Sequence, residues 1–372
     1  MKYYIIAGER SGDLHASNLI KQLRKQDPEA QVRGWGGDMM QEAGMDLVRH
    51  YQEMAFMGFL EVIKNLPKVL GFLSEAKADM KRYQPDVVVL VDYAGFNMRI
   101  ARFAKKQGIK VFYYISPKIW AWNQGRVHGI KKAVDRMFVI MPFEEDFYGR
   151  FNYKVDYVGN PVNDSVTDHV PTTDFRLKNK LYNNKPIIAL LPGSRKQEIE
   201  NMLDVMLSVL PSFRDYQFVV AGVSNFPKEY YEQYNKDTNI KIVYDQTYDL
   251  LASAKAALVT SGTATLETAL FGVPQVVCYK TSPVSYAIAK RVIKVPYISL
   301  VNLIADKPVV TELIQDDFTA KQIVAELKKV LFDNYYAKKQ QEGYALVREK
   351  IGKFRTAERA AELMVQYLQE EK

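Results

Sequence analysis

The sequence predicts an α/β protein of two doubly wound halves facing a central cleft. Three observations carry this. Short runs of Val, Ile, Leu and Tyr alternate with amphipathic segments of helical period, the pattern of a parallel sheet covered on both faces. The alternation pauses in a polar stretch after Gly159-Asn160-Pro161 and restarts near residue 186. Several apolar runs end in loops of glycine, hydroxyl and charged residues, and in such sheets ligands bind beyond the carboxyl ends of the strands.

With 372 residues and 48% hydrophobic content, the chain is long enough for two cores. The expected organisation is a first domain over 1–165, a linker over 166–185, a second domain over 186–340, and a helical segment over 341–372 that packs back across the domains. Cys278 is the sole cysteine, which rules out a disulfide framework and points to the cytoplasm. Met1-Lys2 leads straight into the apolar run 3–7, too short for a signal-peptide core. Histidines 15, 50, 128 and 169 show no ligand spacing, so no metal and no cofactor are expected.

In the first half, strands are expected at 3–7, 87–91 and 110–115, with helices such as 13–25 and 98–107. The first strand runs into Gly8-Glu9-Arg10-Ser11-Gly12-Asp13. Its glycines allow a tight turn, and Glu9, Ser11, Gly12 and Asp13 read either as a substrate loop or as a capped strand–helix turn. The second ends in Asp92-Tyr93-Ala94-Gly95-Phe96-Asn97. Partial burial there would raise the Asp92 pKa toward that of a general base, whereas a loop hydrogen bond is the alternative role. The third ends in Ser116-Pro117-Lys118-Ile119-Trp120-Ala121-Trp122, where Trp120 and Trp122 form a sugar or acyl platform or else roof the core. Residues 54–73 are more apolar than one helix face requires, with Phe56, Phe59, Leu60, Ile63, Leu66, Val69 and Leu70 interrupted by Lys64 and Lys68. That suits a membrane interface or a helix-packing face, and Glu61 within it is a second candidate carboxylate. From Arg99 to Arg136, ten Lys/Arg face one acid, Asp135, a field that attracts phosphate or anionic lipid.

In the second half, strands are expected at 187–191, 218–221, 240–243, 257–259 and 275–279. The first of these ends in Pro192-Gly193-Ser194-Arg195 and the fourth in Thr260-Ser261-Gly262-Thr263. Both are phosphate-compatible: glycine permits close approach, hydroxyls and helix N-terminal amides donate, and Arg195 offers a forked donor. Two such loops in one half favour a nucleoside-diphosphate ligand. Asn302 and Gln315 are amides in apolar surroundings, which usually have partners.

Together, Ala7-Gly8-Glu9-Arg10-Ser11-Gly12-Asp13, Gly34-Trp35-Gly36-Gly37-Asp38, Met57-Gly58-Phe59-Leu60-Glu61, Ser116-Pro117-Lys118-Ile119-Trp120-Ala121-Trp122, Met141-Pro142-Phe143-Glu144, Leu191-Pro192-Gly193-Ser194-Arg195, Ser261-Gly262-Thr263-Ala264-Thr265-Leu266-Glu267 and Ser299-Leu300-Val301-Asn302-Leu303-Ile304 closely resemble the lipid-A-disaccharide synthases, in order across nearly the whole chain. The resemblance implies a GT-B glycosyltransferase with two Rossmann-like domains. It further implies a metal-independent, inverting transfer from UDP-2,3-diacylglucosamine to 2,3-diacylglucosamine 1-phosphate, giving the β-1,6-linked disaccharide 1-phosphate and UDP. Asp92, Glu61 and Arg195 are then the catalytic candidates. Gly193, Ser194, Arg195, Ser261, Gly262, Thr263, Glu267, Asn302 and Gln315 are the candidates for the UDP-sugar. Glu9, Ser11, Gly12, Asp13, Asn97, Ser116, Trp120 and Trp122 are those for the acceptor side. The family's Asp-x-Pro-Asp-Phe-Asn run has Gly95 in place of its second acid, which leaves the base to Asp92, Glu61 or another carboxylate. The implied setting is the anionic inner face of the inner membrane of a Gram-negative envelope, with a homodimer open as the assembly and no nucleic-acid partner. The competing readings are a UDP-sugar epimerase or soluble-sugar transferase, which needs no apolar patch, and a non-catalytic anionic-lipid or nucleic-acid binder, which leaves the ordered loops unexplained.

Overall fold

A computed structural model describes residues 1–54, 66–235 and 240–370. Contacts divide the chain into two units: Met1–Pro161 with the C-terminal helix from Lys353 on, and Val162–Gly352.

The first unit holds the strands β1 Lys2–Ala7, β2 Gln31–Gly36, β3 Asp46–His50, β4 Val87–Val91, β5 Lys110–Tyr114, β6 Arg136–Val139 and β7 Asp156–Tyr157. They form a seven-stranded sheet in the order β3-β2-β1-β4-β5-β6-β7, and every pairing is parallel. Central strands are apolar throughout because helices cover both faces, and all five residues of β4 are buried. Winding reverses between β1 and β4, which places the loops after Ala7 and Val91 side by side. The C-terminal Thr356–Glu370 helix joins this core, with Ala360, Ala361 and Met364 packing into the cluster of Ala16, Leu19 and Leu23 from the Arg10–Gln26 helix.

The second unit holds β8 Ile187–Leu191, β9 Gln217–Gly222, β10 Lys241–Tyr244, β11 Ala254–Thr260, β12 Gln275–Tyr279 and β13 Glu312–Ile314. Their order is β10-β9-β8-β11-β12-β13, again wholly parallel. Here the reversal lies between β8 and β11. The C-terminal segment expected to be helical over 341–372 is broken at Gly352, whose φ of +71° ends the Asn334–Ile351 helix. That helix braces the second sheet. Gln340 accepts from the Gln275 amide at 3.0 Å and donates to its carbonyl at 3.1 Å. Arg348 donates to the Ala269 and Leu270 carbonyls at 3.1 and 3.0 Å, capping the far end of the Thr263–Leu270 helix.

Candidate functional site

Because β8 and β11 are hydrogen-bonded neighbours, with Val259 opposite Leu191, the two phosphate-compatible loops emerge together at the reversal of the second sheet. This is where open α/β sheets bind ligands. After β8, Gly193 has φ +109°, and a Cβ there would fall 2.5 Å from Glu198 Oε2, so both the backbone and the space require glycine. Glu198 closes the loop: its Oε2 accepts from the Ser194 and Arg195 amides at 3.1 and 3.2 Å, and its Oε1 from Arg195 Nη1 at 3.0 Å. The amides expected to meet a ligand anion are thus occupied by the Glu198 carboxylate. The Arg195 side chain is 82% exposed, leaving most of its donor fork turned to solvent.

The loop after β11 has open donors. Ser261 is tied down, its hydroxyl donating to the Ile298 carbonyl at 2.8 Å, and Thr265 donates to the Gly262 carbonyl at 2.8 Å. Gly262 and Thr263 are exposed; their amides and that of Ala264 have no internal acceptor among the described residues. They start the Thr263–Leu270 helix, where the dipole adds to the pull on an anion. One turn on, Glu267 accepts from the Tyr248 hydroxyl at 3.0 Å. Burial raises its pKa and that hydrogen bond opposes the rise. Asn302 and Gln315 both have partners within the second unit. Asn302 Nδ2 donates to the Val310 carbonyl and Glu312 Oε1, both at 2.9 Å, while its Oδ1 accepts from the Val309 and Val310 amides at 2.8 and 3.0 Å. Gln315 pairs with both backbone groups of Thr281, at 2.7 and 3.1 Å. Asn302 thus has no hydrogen-bonding capacity to spare, whereas Gln315 keeps one N–H and one acceptor lone pair beyond its two bonds to Thr281.

In the first unit, Asp92 and Tyr93 follow β4 with φ of +46° and +45°, a left-handed pair whose strain is of order 1–3 kcal/mol per residue. Three interactions hold it. Asn97 Nδ2 donates to the Val91 and Asp92 carbonyls at 3.2 and 2.8 Å, the Tyr113 hydroxyl donates to the Asp92 carbonyl, and the Tyr93 ring lies where a Cβ on Gly8 would fall, at 2.3 Å. Burial raises the Asp92 pKa, while Lys118 and the Tyr93 amide lower it. Asp13, expected to act at its own loop, instead caps the Asp38–Glu42 helix, its Oδ1 accepting from the Gly37 and Met40 amides at 2.8 and 3.1 Å. Gly12 serves close packing, with Ala7 Cβ 3.3 Å from where its own would be. Glu9 and Ser11 are exposed. Trp120 is buried edge-on to Phe143 at 4.9 Å and roofs the core, whereas Trp122 is exposed. The Ser116 hydroxyl donates to Glu144.

Across residues 3–366 the chain matches the family model described as lipid-A-disaccharide synthetase. It belongs to that family. Among curated relatives, the lipid-A-disaccharide synthase of Geobacter metallireducens is 38% identical over 98% of this chain and 96% of its own length. That of Syntrophus aciditrophicus is 40% identical over 96% and 95%, and that of Coxiella burnetii 37% over 89% of each. Solved structures that share the architecture include the UDP-GlcNAc 2-epimerase of Neisseria meningitidis bound to UDP-GlcNAc, at TM-score 0.67 and 14% identity over the whole of both chains. The glycotransferase of kitacinnamycin matches at TM-score 0.65 and 13% identity over 99% of each. The fold is therefore GT-B, and this member of the lipid-A-disaccharide synthetase family is a glycosyltransferase.

Glu144 ends the Met141-Pro142-Phe143-Glu144 motif and is a candidate residue to which the sequence reading gives no role. It is fully enclosed beyond β6, and burial lifts its pKa to about 7 against Ser116 and the Met141 and Ile140 amides. Its segment Phe143-Glu144-Glu145-Asp146 reads as a solvated acidic helix start, and nothing in that pattern says which acid turns inward. Of the apolar segment, Glu61, Phe56, Phe59, Leu60 and Ile63 lie outside the described residues. Leu66 opens the Leu66–Tyr83 helix, in which Val69 is half-buried and Leu70 exposed. In the basic stretch, Lys105 is bonded to Asp135 and the Arg136 guanidinium lies 3.9 Å from the Tyr367 ring centre. Arg99, Arg102, Lys106, Lys118, Lys131 and Lys132 are exposed. Among the described residues, no His/Cys/Asp/Glu group is arranged to hold a metal, and no helix is long and apolar enough to cross a membrane.

Proposed function

We propose that this chain joins a UDP-activated 2,3-diacylglucosamine to 2,3-diacylglucosamine 1-phosphate, forming the β-1,6-linked lipid A disaccharide 1-phosphate and releasing UDP. The observation that carries the donor assignment is the emergence, from adjacent strands, of an exposed arginine after β8 and open amides after β11. As the anomeric C–O bond breaks, the β-phosphate gains negative charge. Arg195 and the Gly262–Ala264 amides stabilise it where it forms, while Glu267 takes a donor hydroxyl. Asp92 removes the proton from the acceptor's 6-hydroxyl as that oxygen bonds to the anomeric carbon.

Both substrates are lipids, and the chain works peripherally on the inner face of the inner membrane. The exposed Leu70 and the cations of the Ala94–Lys106 helix support that location. The deciding experiment incubates purified protein with both acyl sugars and analyses the products by mass spectrometry. Disaccharide 1-phosphate and UDP in equal amounts are expected; neither product appearing would overturn the reading.

A further inference from the structure

The Pro283–Val292 helix, which follows β12 in the second unit, contains no buried residue. Val284 is 71% exposed, Ile288 56%, and Val292 and the adjoining Ile293 each 42%. Positions 284, 288 and 292 recur every four residues and so share one face. The start is well built: Pro283 occupies the first turn and the Ser282 hydroxyl accepts from the Ser285 amide at 3.2 Å. Yet a helix this short is marginal in water without an apolar face to bury, and its apolar stripe faces solvent.

The charge around the stripe selects its cover. From Thr268 to Ala305 the chain carries Lys280, Lys290, Arg291 and Lys294 and no Asp or Glu. A twofold contact between copies of this helix would set these cations against each other. A bilayer interface rich in anionic headgroups accepts both features, since lysine and arginine stems extend along apolar surface to reach headgroup phosphates. The helix also leaves the carboxyl end of β12, next to the strand whose loop presents Gly262 and Thr263.

We propose that this helix is a membrane-docking element of the second unit, lying in the interface of an anionic phospholipid bilayer with Val284, Ile288, Val292 and Ile293 among the acyl chains. The proposal rests on the acyl-sugar reading above, because a lipid-linked donor has to be collected from such a surface. It adds a second-unit contact to the first-unit surface formed by Leu70 and the basic helix.

The test uses the full chain. Cys278 is buried, so an Ile288→Cys variant takes an environment-sensitive fluorophore at one position. Phosphatidylglycerol/phosphatidylethanolamine vesicles are expected to shift its emission to the blue, and pure phosphatidylcholine vesicles are not. Val284→Ser/Ile288→Ser should weaken binding to the anionic vesicles by about tenfold, and Lys290→Glu/Arg291→Glu, which spares the apolar stripe, by a similar factor. Unchanged emission in protein that floats with the vesicles, or unchanged binding of both double variants, overturns the proposal. A blue shift that appears on raising the protein concentration without lipid assigns the face to a second copy and also overturns it. Product formed from detergent-dispersed acyl sugars is read in parallel. Its absence in the unmodified chain sinks the transfer reading, whereas normal turnover with a failed vesicle result sinks only the docking element.

Discussion

The Ser194 amide donates to the Glu198 carboxylate at 3.1 Å, with the Arg195 amide beside it at 3.2 Å. The loop proposed to receive a diphosphate therefore already has an anion of its own. A phosphate at this point is repelled by that carboxylate or displaces it, so donor affinity depends on both Glu198 and the guanidinium it holds.

Glu198→Gln keeps an acceptor for the loop and removes the charge. UDP should bind about three- to tenfold tighter, because a like charge near the diphosphate is gone. Calorimetric titration measures this; weaker binding would show instead that the carboxylate holds the loop in its binding shape.

Arg195→Ala removes the donor fork proposed to meet the leaving group. Turnover should fall by about 10²–10³, the usual effect of deleting one charge-stabilising donor, while vesicle binding stays as it was. Unchanged turnover rejects a phosphate role for Arg195.

Asp92→Asn should lower turnover by about 10²–10⁴ with UDP binding retained, as expected for loss of a general base. Lys118 tests the same assignment through pH. Burial raises the Asp92 pKa and Lys118 holds it down, so in Lys118→Ala the carboxylate ionises at higher pH and the acidic limb of kcat moves upward. An unmoved limb places the base elsewhere.

The strands at the centre of each sheet were legible because burial on both faces makes them continuous apolar runs, as in β4 and β8. Away from the centre of the first sheet they were not: β2, one strand in from the edge, carries Arg33 and two glycines, and the edge strand β7 is only Asp156–Tyr157. Among site candidates, sequence placed loops well and partners badly. Asp13 and Asn302 stand beside motif glycines and hydroxyls, but their hydrogen-bond partners come from residues 37–40 and 309–312, contacts that only the folded chain creates. The inward turn of Glu144 is likewise set by Ser116, 28 residues earlier.

Glu144 also makes stability depend on pH. Its pKa rises from 4.5 in the open chain to about 7 in the fold. Across that window the folded chain keeps a proton that the unfolded chain has released, so stability is greatest below 4.5 and falls as pH rises to about 7. The full drop is about 3 kcal/mol. Urea unfolding between these pH values should show that slope, and Glu144→Gln should flatten it. An equal slope in the variant assigns the dependence to other groups.

Asn302 separates a structural amide from a ligand contact. Its side chain satisfies the Val309 and Val310 amides, the Val310 carbonyl and Glu312 Oε1. Asn302→Ala strands the two amides and leaves Glu312 with the Ile298 and Ser299 amides alone. Buried groups stripped of partners cost about 1–3 kcal/mol each before relaxation, so a total loss of about 2–4 kcal/mol is expected. Since the native amide has no hydrogen-bonding capacity to spare, UDP affinity of the folded variant should stay within about twofold of the parent, a change of under about 0.5 kcal/mol. Denaturant unfolding and UDP titration read the two effects separately. Near-native stability with a large loss of UDP binding would put Asn302 in contact with the donor after all.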